Sequence, residues 1–143
     1  MPKICSELPI SKQLQHELMV RLEVLPSLVA AYLHGSATKG RLRKESDLDI
    51  ALLLAENRNS GANLSQLGAD LELIVGRPVH LGVLSLDSLI YAAEVYQHGW
   101  ELICLNREQH DRFFMRLLST YADYNFARRE VLSSYLVRES DRP

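Results

Sequence analysis

The stretch Gly35-Ser36-Ala37-Thr38-Lys39-Gly40-Arg41-Leu42-Arg43-Lys44-Glu45-Ser46-Asp47-Leu48-Asp49 separates two apolar runs, Leu28 to Leu33 (LVAAYL) and Asp47 to Leu54 (DLDIALLL), which it overlaps. Both runs are short and bounded by turn residues, and both read as buried strands. Side chains alternate between the faces of a strand. Asp47, Asp49, Ala51 and Leu53 therefore share one face, and Leu48, Ile50, Leu52 and Leu54 share the other. A strand that starts with two acids on one face and ends apolar on both enters a core from an open, polar edge. The first strand stops at His34-Gly35-Ser36, and residues 37–46 read as a basic turn or short helix.

Each part of this stretch has a chemical use. Glycine lets a backbone approach a phosphate closely. Gly35 and the amide of Ser36 lie where a strand turns toward a polar segment, so free N–H groups can meet an anion, and the Ser36 hydroxyl adds a donor. Asp47 and Asp49 present two hard carboxylates on one face, a platform for Mg²⁺ whose remaining positions substrate phosphates can fill. Lys39, Arg41, Arg43 and Lys44 lie between them, within reach of a triphosphate, with Lys39 the best placed. Alone, Gly-Ser is a turn and Asp-x-Asp a solvated strand end. Ten residues apart, after one strand and opening another, they describe a nucleotide and metal site.

Outward from this centre, Leu14, Leu18, Leu22 and Leu25 recur at helical spacing over 11–25, with Ser11 as cap and Pro26 as stop. Residues 55–62 read as a loop. Residues 63–75 form a second helix, with Leu64, Leu67, Leu71 and Ile74 as its buried stripe and Gly76 as its end. Pro78 to Leu84 is a third strand, Ser85 to Tyr96 a helix capped by Ser85, and Trp100 to Leu105 an edge strand. Two further helices are expected over 109–121 and 126–137. The order predicts an α/β (or α+β) domain, a small mixed sheet with packed helices and C-terminal helices. The expected organisation is one domain over 1–143, with the α/β core to about 105 and a helical extension from about 106 to 143.

With 143 residues, 47% of them apolar, the chain can bury a real core, and its net charge of −2 argues against bulk nucleic-acid binding. Cys5 and Cys104 have no metal-like spacing and read as inert thiols of a reducing compartment. No apolar stretch approaches the ~20 residues that span a bilayer. The opening MPKICSELPI lacks the apolar run of a signal peptide. A cytoplasmic protein is expected.

Gly35-Ser36, the spacer and Asp47-Leu48-Asp49 resemble the signature of the polymerase-beta-like nucleotidyltransferases. The small size, the run AYLHGSATKG and the tail RFFMRLLSTYADYNFARREVLSSYL resemble the minimal nucleotidyltransferases that serve as antitoxins beside HEPN-domain ribonuclease toxins. The resemblance implies ATP as substrate and Mg²⁺ as cofactor, with AMP transferred to a tyrosine hydroxyl of the toxin and pyrophosphate released. Transfer blocks the ribonuclease site, and the two proteins form a hetero-oligomer. Carried over residue by residue, Gly35 and Ser36 would hold the triphosphate, with Lys39 and Arg41 as further phosphate contacts. Asp47 and Asp49 would be the catalytic metal ligands.

The chain departs from that pattern in two places. The family's third acid often follows Arg-Pro-Val on the next strand, and here the run is Arg77-Pro78-Val79-His80-Leu81. His80 is expected on the face opposite Val79, Leu81 and Val83, toward Asp47 and Asp49. Imidazole is a poor Mg²⁺ ligand, but it can act as a general base, so His80 stands as a candidate catalytic residue or as a bystander. Asp70 and Glu72 are candidate substitutes for the missing acid. Ala37 replaces a residue that is often basic, which leaves phosphate contact to Lys39. His16, His98 and His110 read as surface or core, and His34 packs at the turn or touches the nucleotide. Trp100, Phe113 and Phe114 read as core, and Tyr121, Tyr124 and Tyr135 as helix packing or a partner surface. Two alternatives to AMP transfer follow. One is a degenerate nucleotidyltransferase fold that neutralises a toxin by binding it, and the other is a transferase acting on a small molecule such as an antibiotic hydroxyl.

Overall fold

A computed structural model describes residues 10–35, 47–55 and 61–140. Helix α1 (Lys12–Glu23) starts where the Ser11 side chain accepts from Leu14 N at 3.2 Å, satisfying one of the first-turn amides that a helix leaves unpaired. It ends three residues before Pro26, and the chain enters strand β1 (Leu28–His34). Strand β2 (Leu48–Leu54) follows, then α2 (Gly61–Val75), which Gly76 terminates at a φ of 72°. Strand β3 (Val79–Val83) leads to a single 3-10 turn at Leu86–Ser88, which Ser85 caps by accepting from Asp87 N at 3.1 Å. Helix α3 (Leu89–His98) and strand β4 (Trp100–Cys104) precede α4 (Arg107–Ser140).

The sheet order is β3-β2-β1-β4. β1 runs antiparallel to both β2 and β4, while β2 and β3 are parallel and joined through α2, so the sheet is mixed as expected. β1 is central, and it is buried from Leu28 to Leu33. β4 lies at one edge, as expected for Trp100 to Leu105, and β3 at the other.

Alternation along the strands divides the core in two. On one side Ala31, Leu33, Leu48, Ile50 and Leu52 pack against Leu18 and Leu22 of α1 and Leu67 and Leu71 of α2. On the other, Ala30, Tyr32, Ala51 and Leu53 pack against Ala92 and Val95 of α3 and Phe114 and Leu117 of α4. Asp47 and Asp49 are in phase with Ala51 and Leu53. They therefore belong to the α3/α4 side.

The expected pair of C-terminal helices is one helix of 34 residues. The gap between the two apolar patterns, Ala122-Asp123-Tyr124-Asn125, contains neither proline nor glycine, so nothing in the backbone breaks the ladder. The interruption is one of burial: Phe114 and Leu117 sit in the core, whereas Tyr124, Phe126, Val131, Leu132, Tyr135 and Leu136 are exposed. Among the described residues no helix is long and apolar enough to cross a membrane.

Candidate functional site

Three adjacent strands place one residue each in a single row. His34 at the end of β1 pairs in register with Asp49 of β2, and Asp49 pairs in turn with His80 of β3. Asp47 precedes β2 by one residue and is exposed, where it meets His80: the Asp47 Oδ2–His80 Nε2 distance is 2.8 Å. The alternation argument therefore placed His80 correctly beside the acids. With side chains 65% and 47% exposed, this pair is screened by water and adds little to stability, so its placement concerns the site rather than the fold.

Gly35 closes β1 at a φ of 75°, a conformation that costs other residues ~1–2 kcal/mol. It also lies under the Asp49 carboxylate. A Cβ at position 35 would sit 2.3 Å from Asp49 Oδ2, closer than any real contact. Glycine is thus required both by the turn and by the acid it accommodates. Ser36, Lys39 and Arg41, with the basic segment around them, lie outside the described residues, as do Cys5 and most of the 55–62 loop.

The two acids offer hard oxygen donors from one face, which suits Mg²⁺ shared with a triphosphate. Among the described residues no group of three His, Cys, Asp or Glu side chains could hold a metal ion. The donor set fits a metal completed by substrate oxygens rather than a closed protein cage. Asp70 and Glu72 do not supply the third acid. Asp70 pairs with Arg21 and accepts from Gln66, and Glu72 accepts from Val79 N at 3.1 Å. Helix α2 covers the other face of the sheet, so its geometry commits both acids to packing elements rather than to the site.

A residue that sequence reasoning did not single out completes the inner wall. Tyr91 of α3 hydrogen-bonds His34 Nε2 through its hydroxyl at 2.9 Å, and the two rings meet edge to face with centroids 5.3 Å apart. Burial, and then Asp49, push the Tyr91 hydroxyl up to about 12. Burial lowers the His34 pKa, against the opposing pull of Asp49 and Glu94. Gly82, one residue pair further along β3, leaves the space this hydroxyl needs, since a Cβ there would lie 2.2 Å from Tyr91 Oη. The only sequence signal was an isolated glycine inside a strand, a mark of close approach. Of the other candidates, His110 is buried against Phe114, and Phe114 is itself core. Burial raises the Cys104 thiol pKa, which suits an inert cysteine.

A family model described as polymerase beta, nucleotidyltransferase, matches residues 16–108, most of the chain from α1 to the start of α4. No curated protein sequence matches. Solved structures that share the fold include three toxin–antitoxin complexes. A toxin–antitoxin complex with AMP-PNP is 23% identical with a TM-score of 0.69, over 85% of this chain and 98% of that one. The MntA-HepT toxin–antitoxin is 20% identical with a TM-score of 0.66, over 88% and 99%. A tri-AMPylated Shewanella oneidensis HEPN toxin in complex with its MNT antitoxin is also 20% identical, with a TM-score of 0.66, over 89% and 99%.

Proposed function

The chain belongs to the polymerase beta nucleotidyltransferase family, and from that premise we propose that it is an antitoxin that transfers AMP from ATP to a tyrosine hydroxyl of a HEPN-type ribonuclease toxin. The observation that carries the reading is the placement of the Asp47 and Asp49 carboxylates on one face, with the Gly35 turn cleared around Asp49. The toxin–antitoxin complexes that share the fold, one with AMP-PNP and one with a tri-AMPylated toxin, support it.

In this mechanism Gly35 and Ser36 receive the triphosphate through backbone N–H groups, and Lys39 and Arg41 offset its charge. Asp47 and Asp49 would hold Mg²⁺, which when bound would supply neutralisation of the phosphate charge. The tyrosine oxygen of the toxin bonds to the α-phosphorus, the bridging bond to the β-phosphate breaks, and pyrophosphate leaves. The phenolic proton goes to Nδ1 of His80 as general base, while its Nε2–H donates to Asp47 Oδ2 at 2.8 Å.

The test is to incubate the chain with ATP, Mg²⁺ and the HEPN protein encoded beside it, then weigh the latter. One or more AMP-sized mass gains are expected. A toxin that binds the chain and gains no mass refutes the transfer.

One observation favours a second reading, neutralisation by binding alone. The position of the third acid holds a histidine that occupies Asp47 Oδ2. The variant carrying both Asp47→Asn and Asp49→Asn separates the two. Transfer predicts that it still binds the toxin but no longer protects cells, whereas full protection assigns the function to contact.

A further inference from the structure

Helix α3 reaches the end of β1 through one hydroxyl. Tyr91 Oη is 2.9 Å from His34 Nε2, and His34 is the residue immediately before the Gly35 turn. The turn is held on its other side by Asp49, whose carboxylate fills the space where a Cβ of residue 35 would be. His34 and Asp49 are also register partners across β1 and β2. Gly35 is therefore fixed between two constraints, the carboxylate beside it and the tyrosine-anchored ring that precedes it.

A tyrosine in this place has a cost that a phenylalanine would avoid. Its hydroxyl is half buried, and it is admitted only because position 82 has no side chain. If Tyr91 only filled space against the core on this face of the sheet, the ring alone would do so. The hydroxyl instead meets His34, the residue that directly precedes the turn.

We propose that Tyr91 is a positioning residue: through its hydrogen bond to His34 it sets the Gly35 turn, and so the placement of the nucleotide triphosphate. The proposal rests on the nucleotidyltransferase reading above and adds to it a residue 57 positions later in the chain than His34. Tyr91 acts on ground-state placement of the nucleotide, not on the transferred phosphoryl group. Its loss therefore weakens binding of Mg·ATP and raises the KM for ATP while leaving kcat at saturating ATP within about twofold.

The experiment titrates Mg·ATP into wild-type chain and the Tyr91→Phe variant by calorimetry, with thermal melting and transfer kinetics on the same samples. Loss of one hydrogen bond corresponds to about two- to tenfold weaker binding. A shift of that size in Kd and KM, with kcat kept, is the expected result. His34→Leu removes the other partner. If the hydroxyl works through His34, Tyr91→Phe adds nothing further in that background, whereas independent losses multiply and overturn the proposal. Gly82→Ala offers a third route, because it displaces the hydroxyl and leaves both partners in the chain; it is expected to weaken Mg·ATP binding to the same degree. Unchanged Kd in Tyr91→Phe, or a lowered melting temperature without a change in Kd, makes the residue merely structural. Wild-type chain that binds no Mg·ATP refutes the nucleotidyltransferase reading itself, and wild-type chain that binds while Tyr91→Phe binds equally well refutes this inference alone.

Discussion

Against α1 and α2 the sheet presents Ala31, Leu33, Leu48, Ile50 and Leu52, an aliphatic surface that meets further leucines. Against α3 and α4 it presents Tyr32, His34 and Asp49 among small residues, and the helices answer with Tyr91, His110 and Phe114. Glu101 of β4, almost buried, accepts from both terminal nitrogens, Nη1 and Nη2, of Arg107 at 2.8 and 2.9 Å, with His110 Nε2 at 3.6 Å. One face is thus packed for stability and the other admits polar groups that need partners. A strand makes this division cheap, since a period of two sends every second side chain to a different environment. β2 shows it within three residues: Leu48 and Ile50 are fully buried beneath the helices of one layer, while Asp49 between them faces the site.

The sharpest way to break this comparison is to alter each face and ask which property fails. Asp49→Asn keeps the shape of the side chain and removes the charge proposed to bind metal. AMP transfer to the toxin is expected to fall on the order of a thousandfold, because metal stabilisation of the transferred group amounts to several kcal/mol. The urea unfolding midpoint should stay near that of wild type; a large drop would mean that Asp49 is part of the core.

Leu71→Ala strikes the other face. Leu71 is fully buried among Leu18, Leu22 and Ile50, and its truncation is expected to destabilise the chain by about 2–5 kcal/mol in denaturant titrations. Transfer rates measured well below the new midpoint should be close to normal. A selective loss of transfer in a stable variant would join the two faces functionally.

A smaller effect of opposite sign comes from Tyr32. Its hydroxyl is buried and has no hydrogen-bond partner among the described residues, and burial pushes its pKa far up. Tyr32→Phe removes an unsatisfied polar group, so stability should rise by about 1 kcal/mol. A clear loss on calorimetric melting would show that the hydroxyl is satisfied in solution.

The smallest expected effect is a pH dependence confined to the polar face. His34 has a lowered pKa in the folded chain, chiefly through burial. Between its ordinary value of 6.5 and the lower folded value, the unfolded chain binds the proton more readily. Stability from this group is therefore complete above pH 6.5 and declines as pH falls toward the folded pKa. His34→Leu should flatten that part of the stability–pH curve, and an unchanged slope would assign it to other groups.

Much of this was readable from local pattern. Ser11 caps α1 as expected, Gly76 ends α2, and Pro26 follows α1, whereas Ser85 caps the 3-10 turn at Leu86–Ser88 and α3 itself begins at Leu89. The shared face of Asp47 and Asp49, and the expectation that His80 would turn toward them, followed from alternation alone and match the register Asp49↔His80. The division at Ala122–Asn125 was misread because a change in burial imitates a break in periodicity when the backbone has no breaker. Glu72 and Asp70 could not be excluded as substitutes for the third acid until α2 was known to cover the opposite face. Tyr91 was invisible for a similar reason. It lies 57 residues from His34 in sequence, and only the crossing of α3 over the sheet brings the two together.

The sequence by itself determined the local grammar: which segments are strands and helices, and that Gly-Ser and Asp-x-Asp stand at the mouth of two strands. Those features follow from side-chain periodicity and from the conformational needs of glycine, proline and capping residues, all set within a few positions. Only the tertiary structure decided which face of the sheet each helix covers. It also decided that Gly35 must lack a side chain to make room for Asp49, that His80 rather than a helical acid meets Asp47, and that a tyrosine from a later helix meets His34 beside the turn. These are contacts between distant segments, fixed by packing and strand register.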